Sequence, residues 1–446
     1  MSHWIEDLMR ADEEVGALVL KELKRQRETL DLIPSENFAP LPVMAALGSV
    51  FTNKYSEGFP GRRYYGGNQF VDEVESLAVE RAKKVFGVPY VNVQPYSGTP
   101  ANLAVYLSTC DVGDTIMGLD LREGGHLSHG WSVSLSGILY KSIPYHVRND
   151  GFIDIDGARS LAKEHKPKLI WCGYSAYVRE FPFKEFGEIA DEVGAYMAAD
   201  IAHIAGLVAA GVHPNPSRHA HIITTTTHKT LRGPRGAMIM VTEKGIAKDK
   251  ELPGRIEKAV FPGLQGGPHD NNTAAIAVAL KLVQEPGFRE YAERVVRNAR
   301  ALAKVLLERG VRLVTGGTDT HMVLIDLSEM GVGKGVLAQE ALELCNVIVN
   351  KNTVPNERSS PFYPSGIRAG TPAVTSRGMG NAEMEEIGGI MADVLFEALK
   401  FELPQRGRQE YIRGFRAKMS ESEVVIRSRE KVRALCEKFP LYKELG

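Results

Sequence analysis

Between about residue 70 and residue 280, helical patterns alternate with short apolar runs at 90–93, 115–119, 168–173, 195–199, 222–225 and 237–241. Runs this short, rich in Val, Ile and Thr and spaced by helices, are what a mostly parallel sheet buried on both faces requires, so this region is an α/β domain. At 446 residues the chain exceeds one small core, and two packed domains are expected. Near residues 12–28, Val15, Leu18, Val19 and Leu23 fall at helical spacing, and Pro34, Pro40 and Pro42 then break the pattern, giving an N-terminal arm over 1–45. A large domain follows over 46–285. After Pro286 a long helix carries Tyr291, Val295, Leu302 and Leu306 and stops at Gly310; a strand at 322–327 and helices near 334–345 and 381–400 complete a smaller α+β domain over 286–446.

Charge and cysteine content narrow the function. Lysine plus arginine (54) nearly cancel aspartate plus glutamate (55), which removes the electrostatic case for nucleic acid or an anionic membrane as main partner. The basic residues of the C-terminal stretch are interspersed with acids, as on a solvated helix face. Cys110, Cys172, Cys345 and Cys436 lie far apart and form no CxxC pair, so neither a disulfide framework nor a zinc ribbon is expected. The acidic N-terminus lacks an apolar segment of the secretory kind, and no apolar run reaches bilayer length. A cytoplasmic location and a small-molecule substrate are the expectation.

Three stretches carry candidate chemistry. In 90–102, a strand runs into Ser97, Gly98 and Thr99 as a helix begins, so free backbone N–H groups and two hydroxyls converge where a phosphate would bind; alone, the same pattern is a plain capped helix. In 194–203, Asp200 closes an apolar strand, where a carboxylate needs a cation or strong donor: a protonated pyridine nitrogen, a salt bridge or a metal would each serve. In 222–236, Lys229 follows a threonine-rich strand and precedes a Gly-Pro turn, an ordered and partly desolvated setting in which an amine can attack an aldehyde. An ordinary exposed lysine is the alternative, and the order of the three stretches, each at the end of a successive strand, argues against it. Other motifs fail. The Gly331–Gly335 stretch lacks P-loop spacing, and His126 and His129, which could share a helix face, have no HExxH or nearby cysteine to support a metal; a histidine stacked on a flat cofactor suits His126 better.

The stretches LIPSENF (32–38), NKYSEGFPGRRYYGG (53–67), GGHLSHG (124–130), TTTTHKTLRG (224–233), FPGLQGGP (261–268) and SGIRAGTPA (365–373) are colinear motifs over nearly the whole chain, and in them the sequence resembles serine hydroxymethyltransferase. The resemblance implies the pyridoxal-phosphate-dependent transferase fold shared with aspartate aminotransferase (fold type I), with a mostly parallel seven-stranded sheet in the large domain. It also implies pyridoxal 5'-phosphate as cofactor, tetrahydrofolate as cosubstrate, and interconversion of serine with glycine. By position, Lys229 is then the Schiff-base lysine, Asp200 the partner of the ring nitrogen and His126 the stacked ring. His203 and Ser175 fall near the phenolic oxygen, and Ser97, Gly98 and Thr99 near the phosphate, with His228 a further cofactor-binding residue. Arg368 and Ser35 would take the substrate carboxylate. The resemblance assigns Tyr55, Glu57, Tyr64, Tyr65, Gly266 and Gly267 to the neighbouring subunit's site, which implies an obligate homodimer with shared sites, alone or paired into a tetramer. Glu57 and Tyr65 would act on the substrate, and Glu57 would need a carboxyl kept protonated by limited hydration. Tyr64, Leu121, Gly125, Leu127 and Asn352, with Glu57, would lie on the folate side.

Three positions depart from the family pattern: Ala369 replaces a larger aliphatic residue after Arg368, Pro34 an alanine before Ser35, and Asn271 a histidine. A small residue beside the carboxylate clamp suggests room for a substituent on Cα, hence a 2-methylserine hydroxymethyltransferase as a rival; one missing branch is worth about 1–3 kcal/mol of specificity. Folate-independent threonine or allothreonine aldolases and transaminases of the same fold, and a non-catalytic scaffold, are the other rivals.

Overall fold

The computed structural model describes residues 3–445, which form two compact units: residues 35–293, and residues 3–34 with 294–445.

The first unit is built on seven strands: β1 (Tyr90–Asn92), β2 (Thr115–Leu119), β3 (Lys141–Tyr145), β4 (Leu169–Gly173), β5 (Tyr196–Asp200), β6 (Ile222–Thr226) and β7 (Ala237–Val241). Their order across the sheet is β1-β7-β6-β5-β4-β2-β3. Only β7 runs antiparallel to its neighbours; every other pairing is parallel. The strands β4, β6 and β7 are buried at every position, which is why they read as continuous apolar or threonine runs with no alternation. The sequence gives six of the seven. The missing one, β3, contains Pro144 and lies at the sheet edge, the place where a residue without an N–H is tolerated and where a strand pattern is hardest to recognise.

Because the strands β2, β4, β5 and β6 are parallel, their carboxyl ends share one edge of the sheet, the edge at which α/β folds bind ligands. Asp200 ends β5, and Lys229 lies three residues past the end of β6.

The second unit holds a three-stranded antiparallel sheet of β8 (Met322–Asp326), β9 (Asn350–Asn352) and β10 (Gly366–Gly370), in the order β8-β10-β9. Its core joins Leu30 and Leu32, Leu302 and Leu306 of helix Pro286–Glu308, and Ile387, Met391 and Leu395 of helix Asn381–Ala398. Gly310, just past the long helix, has φ +79°, the left-handed turn expected of it. Arg377 is buried here and donates to the carbonyls of Arg27, Thr29, Cys436 and Phe439, so one guanidinium satisfies chain ends from both termini of the sequence.

The apolar stripe of the N-terminal helix Glu13–Glu28 is only partly covered within the chain: Val15 and Leu18 are 45 and 62 % exposed, while Val19 and Leu23 are half-buried. No helix among the described residues is long and apolar enough to cross a membrane.

Candidate active site

Ser97 is extended (φ −161°, ψ 176°) and caps helix Gly98–Thr109 without a side-chain capping bond, so the first-turn N–H groups are left to other acceptors, as an anion-binding helix start would require. A Cβ on Gly98 would lie 2.9 Å from Cγ2 of Thr226, so glycine is what lets the helix start approach β6. The other branch of Thr226 faces the lysine: Lys229 Nζ donates to Thr226 Oγ1 at 3.3 Å. One threonine therefore touches both the helix start and the amine.

The loop bearing Lys229 is pinned from two sides. Asn37 Nδ2 donates to the Lys229 carbonyl (3.0 Å) and to the Tyr291 hydroxyl (2.8 Å), which places Asn37, two residues past half-buried Ser35, against the lysine loop. Thr230 Oγ1 donates to the His203 carbonyl (3.0 Å) and accepts the Gly206 N–H (2.9 Å). His228 has a buried Nδ1 with no hydrogen-bond partner among the described residues, and burial, aided by Lys229 and Arg235, pushes its imidazole down to about 3.

Asp200 is buried, and burial alone would raise its pKa. The hydrogen bond from His129, the fields of His129 and His126, and the Asn102 amide outweigh that and hold the carboxyl well below the usual range. Oδ2 lies 3.1 Å from His129 Nε2 and accepts from Asn102 Nδ2 at 2.9 Å, while Oδ1 accepts from the Ala202 N–H at 3.0 Å. The His129 ring stacks on Trp171, centroids 4.9 Å apart and planes nearly parallel. A fixed anion at the end of a buried strand suits a protonated ring nitrogen.

His126 and His129 do not share an α-helical face. His126 caps the short 3-10 turn Leu127–His129, with Nδ1 accepting the Ser128 N–H (3.3 Å) and lying 2.7 Å from Ser128 Oγ. Burial, with His129 and Lys229 adding and Asp200 opposing, pushes His126 down to about 4, so it is neutral at physiological pH. Ligand atoms of His126, His129 and Asp200 lie within 4.8 Å of one another. A cavity of about 290 Å³ opens beside them, lined by Leu121, His126 and His129 together with Trp131, Ser132 and Pro144. The N–H groups of Ser175 and Ala176 both donate to the Gly124 carbonyl (2.7 and 3.1 Å), which sets Ser175 against the loop carrying Leu121, Gly125 and Leu127.

A second group gathers on the same unit. Tyr55 OH donates to Glu57 Oε1 at 3.4 Å, Tyr55 and Tyr65 meet edge to face with centroids 4.9 Å apart, and the Tyr64 N–H donates to the Glu57 carbonyl at 3.0 Å. Gly266 and Gly267 abut Glu57 and Tyr55. Buried Arg63 fixes the segment through Asp72 (2.8 Å) and Glu75 (2.6 Å). The Tyr96 hydroxyl donates to the Gly267 carbonyl (2.7 Å), joining this group to the chain that enters Ser97. Its rings face outward: Tyr55, Tyr64 and Tyr65 are 53, 76 and 47 % exposed.

On the second unit, buried Arg368 donates from Nε to Asn350 Oδ1 (3.1 Å), and burial pushes its guanidinium down to about 10. Asn352 lies on the neighbouring strand β9. The expectation for Ala369 is overturned. Side chains alternate along β10, and Ala369 packs with Val323, Ile325 and Ile367 in the core, on the face opposite Arg368, so its small size makes no room beside a substrate. Pro34 covers Gly370, where a Cβ would come within 2.7 Å of it. Asn271 donates to the Leu47 carbonyl (2.9 Å), a packing role in the first unit.

The donor set fits a flat, phosphorylated pyridine aldehyde: a helix start for phosphate, an amine tied to that start through Thr226, and a buried carboxylate beside a neutral imidazole. Asn37, Asn102, Ser128 and Thr226 carry no signal in the sequence, being neutral residues whose part depends on what they face, and His129, which the sequence offered only as a metal ligand, instead bonds Asp200.

The family model described as "Serine hydroxymethyltransferase" matches residues 8–391. Proteins named serine hydroxymethyltransferase from Sorangium cellulosum (strain So ce56) and Acidothermus cellulolyticus (strain ATCC 43068 / DSM 8971 / 11B) are 57% and 55% identical to this chain over 388 residues. The alignments span 87% of this chain and 90% and 89% of the relatives.

Proposed function

The chain belongs to the serine hydroxymethyltransferase family, and on that premise we propose that it interconverts L-serine plus tetrahydrofolate with glycine plus 5,10-methylenetetrahydrofolate, using pyridoxal 5'-phosphate. The observation that carries the proposal is the single contact chain from the Gly98 helix start through Thr226 to Lys229 Nζ.

When bound, pyridoxal phosphate supplies an electron sink for breaking a bond at the α-carbon of an amino acid. The residues do the rest. N–H groups and hydroxyls at Ser97, Gly98 and Thr99 bind phosphate, with His228 beside Lys229. Lys229 presents its amine from a loop held by Asn37 and Thr230. Asp200, ionised, would hold a protonated ring nitrogen, and neutral His126 would offer a flat face without adding a second positive charge. His203 and Ser175 orient the phenolic side. Arg368 binds the substrate carboxylate as a bidentate fork. Glu57 exchanges a proton at the substrate hydroxyl, with Tyr65 beside it, and Tyr64, Leu121, Gly125 and Leu127 take the folate.

Tyr55, Glu57, Tyr64, Tyr65, Gly266 and Gly267 serve the site of a second copy, so the active species is a homodimer. The outward-facing tyrosines and the exposed Val15 and Leu18 of helix Glu13–Glu28 support this. A cytoplasmic location goes with the four free cysteines.

The decisive experiment compares turnover of L-serine and 2-methyl-L-serine with and without tetrahydrofolate. Serine turnover that depends on the folate is expected; folate-independent cleavage refutes the assignment. Lys229→Ala should lose the borohydride-reducible visible band of the cofactor.

A further inference from the structure

Asn102 sits in the first turns of helix Gly98–Thr109, with its side chain inside the site. Both of its N–H groups are committed, one to Asp200 Oδ2 (2.9 Å) and one to Ser128 Oγ (2.8 Å). Its carbonyl oxygen is buried without a hydrogen-bond partner among the described residues. The opposite amide orientation would aim that oxygen at an ionised carboxylate, so the charge on Asp200 decides which way the amide faces.

The consequence passes to the next residue. With the amide donating into Ser128 Oγ, the serine proton is free to point at His126 Nδ1, 2.7 Å away. The Ser128 backbone N–H reaches the same nitrogen at 3.3 Å, and a backbone N–H can only donate. Two donors converge on Nδ1, which must then carry its lone pair and leave the ring proton on Nε2.

We propose that Asn102 is a positioning residue that reads the charge of Asp200 and, through the Ser128 hydroxyl, commits His126 to the neutral tautomer protonated on Nε2. This deepens the cofactor assignment, in which His126 offers its face beside a ring whose nitrogen is held by Asp200, but the tautomer is a property of the chain's own residues. The depressed pKa of His126 agrees with it.

The test is ¹⁵N NMR of the full-length protein with labelled histidine, with and without pyridoxal phosphate. Among the 12 histidines, His126 is identified as the signal lost in His126→Asn. A pyridine-like Nδ1 and a pyrrole-like Nε2 are expected. In Asn102→Ala and in Ser128→Ala, which removes one atom, both resonances should move toward the averaged position of mixed tautomers. Asn102→Gln, which keeps the amide, should restore more of the native pattern than alanine does. A protonated Nδ1 in the native protein, or unmoved resonances in both alanine variants, overturns the proposal. A missing visible cofactor band with the expected tautomer intact would instead strike at the cofactor assignment and leave the relay standing.

Discussion

Ala369→Leu separates two physical consequences of one side chain. Ala369 is fully buried and shares its face of β10 with Ile367, against Val323 and Ile325. Three extra carbons there must displace well-packed neighbours, which costs about 1–3 kcal/mol. For a unit of this size, each kcal/mol lowers the melting temperature by about 2–4 °C, so a fall of roughly 2–12 °C is expected. If Ala369 instead bordered the substrate's α-carbon, the same carbons would fill a specificity pocket and change the preference between L-serine and 2-methyl-L-serine by about 10–200-fold. The core position predicts a ratio of kcat/KM values changed by less than about threefold, under roughly 0.7 kcal/mol. Any distortion passed along β10 to Arg368 would weaken both substrates together, because both carry the same carboxylate. Calorimetry and parallel kinetics on the two substrates decide the matter. An unchanged melting temperature with a ratio shifted tenfold or more would refute the packing argument.

Further outcomes follow from named contacts. Asp200 has a folded pKa below its unfolded value of about 3.9, so its stabilising contribution is complete above about pH 4 and is lost as the pH falls through the lower folded value. Asp200→Asn should remove that acid dependence from pH-dependent unfolding and weaken cofactor retention by about tenfold or more, one pKa unit of differential interaction; unchanged cofactor affinity in equilibrium dialysis would count against the pairing. Arg368→Lys keeps a positive charge but loses the fork, so KM for serine should rise about tenfold or more with the cofactor band intact. Mixing inactive Lys229→Ala and Glu57→Gln chains and letting them exchange should recover about a quarter of native activity, because half the dimers are mixed and each restores one of two sites; no recovery despite measured exchange would remove the shared site. Arg377→Ala strips donors from five carbonyls, those of Thr29 and Cys436 buried, and should cost about 3 kcal/mol or more, measured by denaturant unfolding.

The sheet was legible because burial on both faces leaves its own trace: strands such as β4 and β7 have no solvent side, so their apolar runs admit few alternatives. The candidate site was legible where chemistry demands a charged or conformationally special residue, as at Lys229, Asp200 and Gly98. Ala369 shows where adjacency in sequence misleads. Consecutive residues of a strand face opposite ways, so the neighbour of Arg368 in the chain is remote from what Arg368 faces, and no pattern in a nine-residue motif distinguishes the two faces until the strand is paired. Asn102 and Ser128 were invisible for a different reason. A neutral side chain acquires its role from the charge it meets, and that charge, on Asp200, comes from a strand nearly a hundred positions away. Recognition from sequence therefore finds the ions of such a site first, while the neutral residues that orient them emerge only when the fold brings a helix start, a 3-10 turn and a strand end to one point.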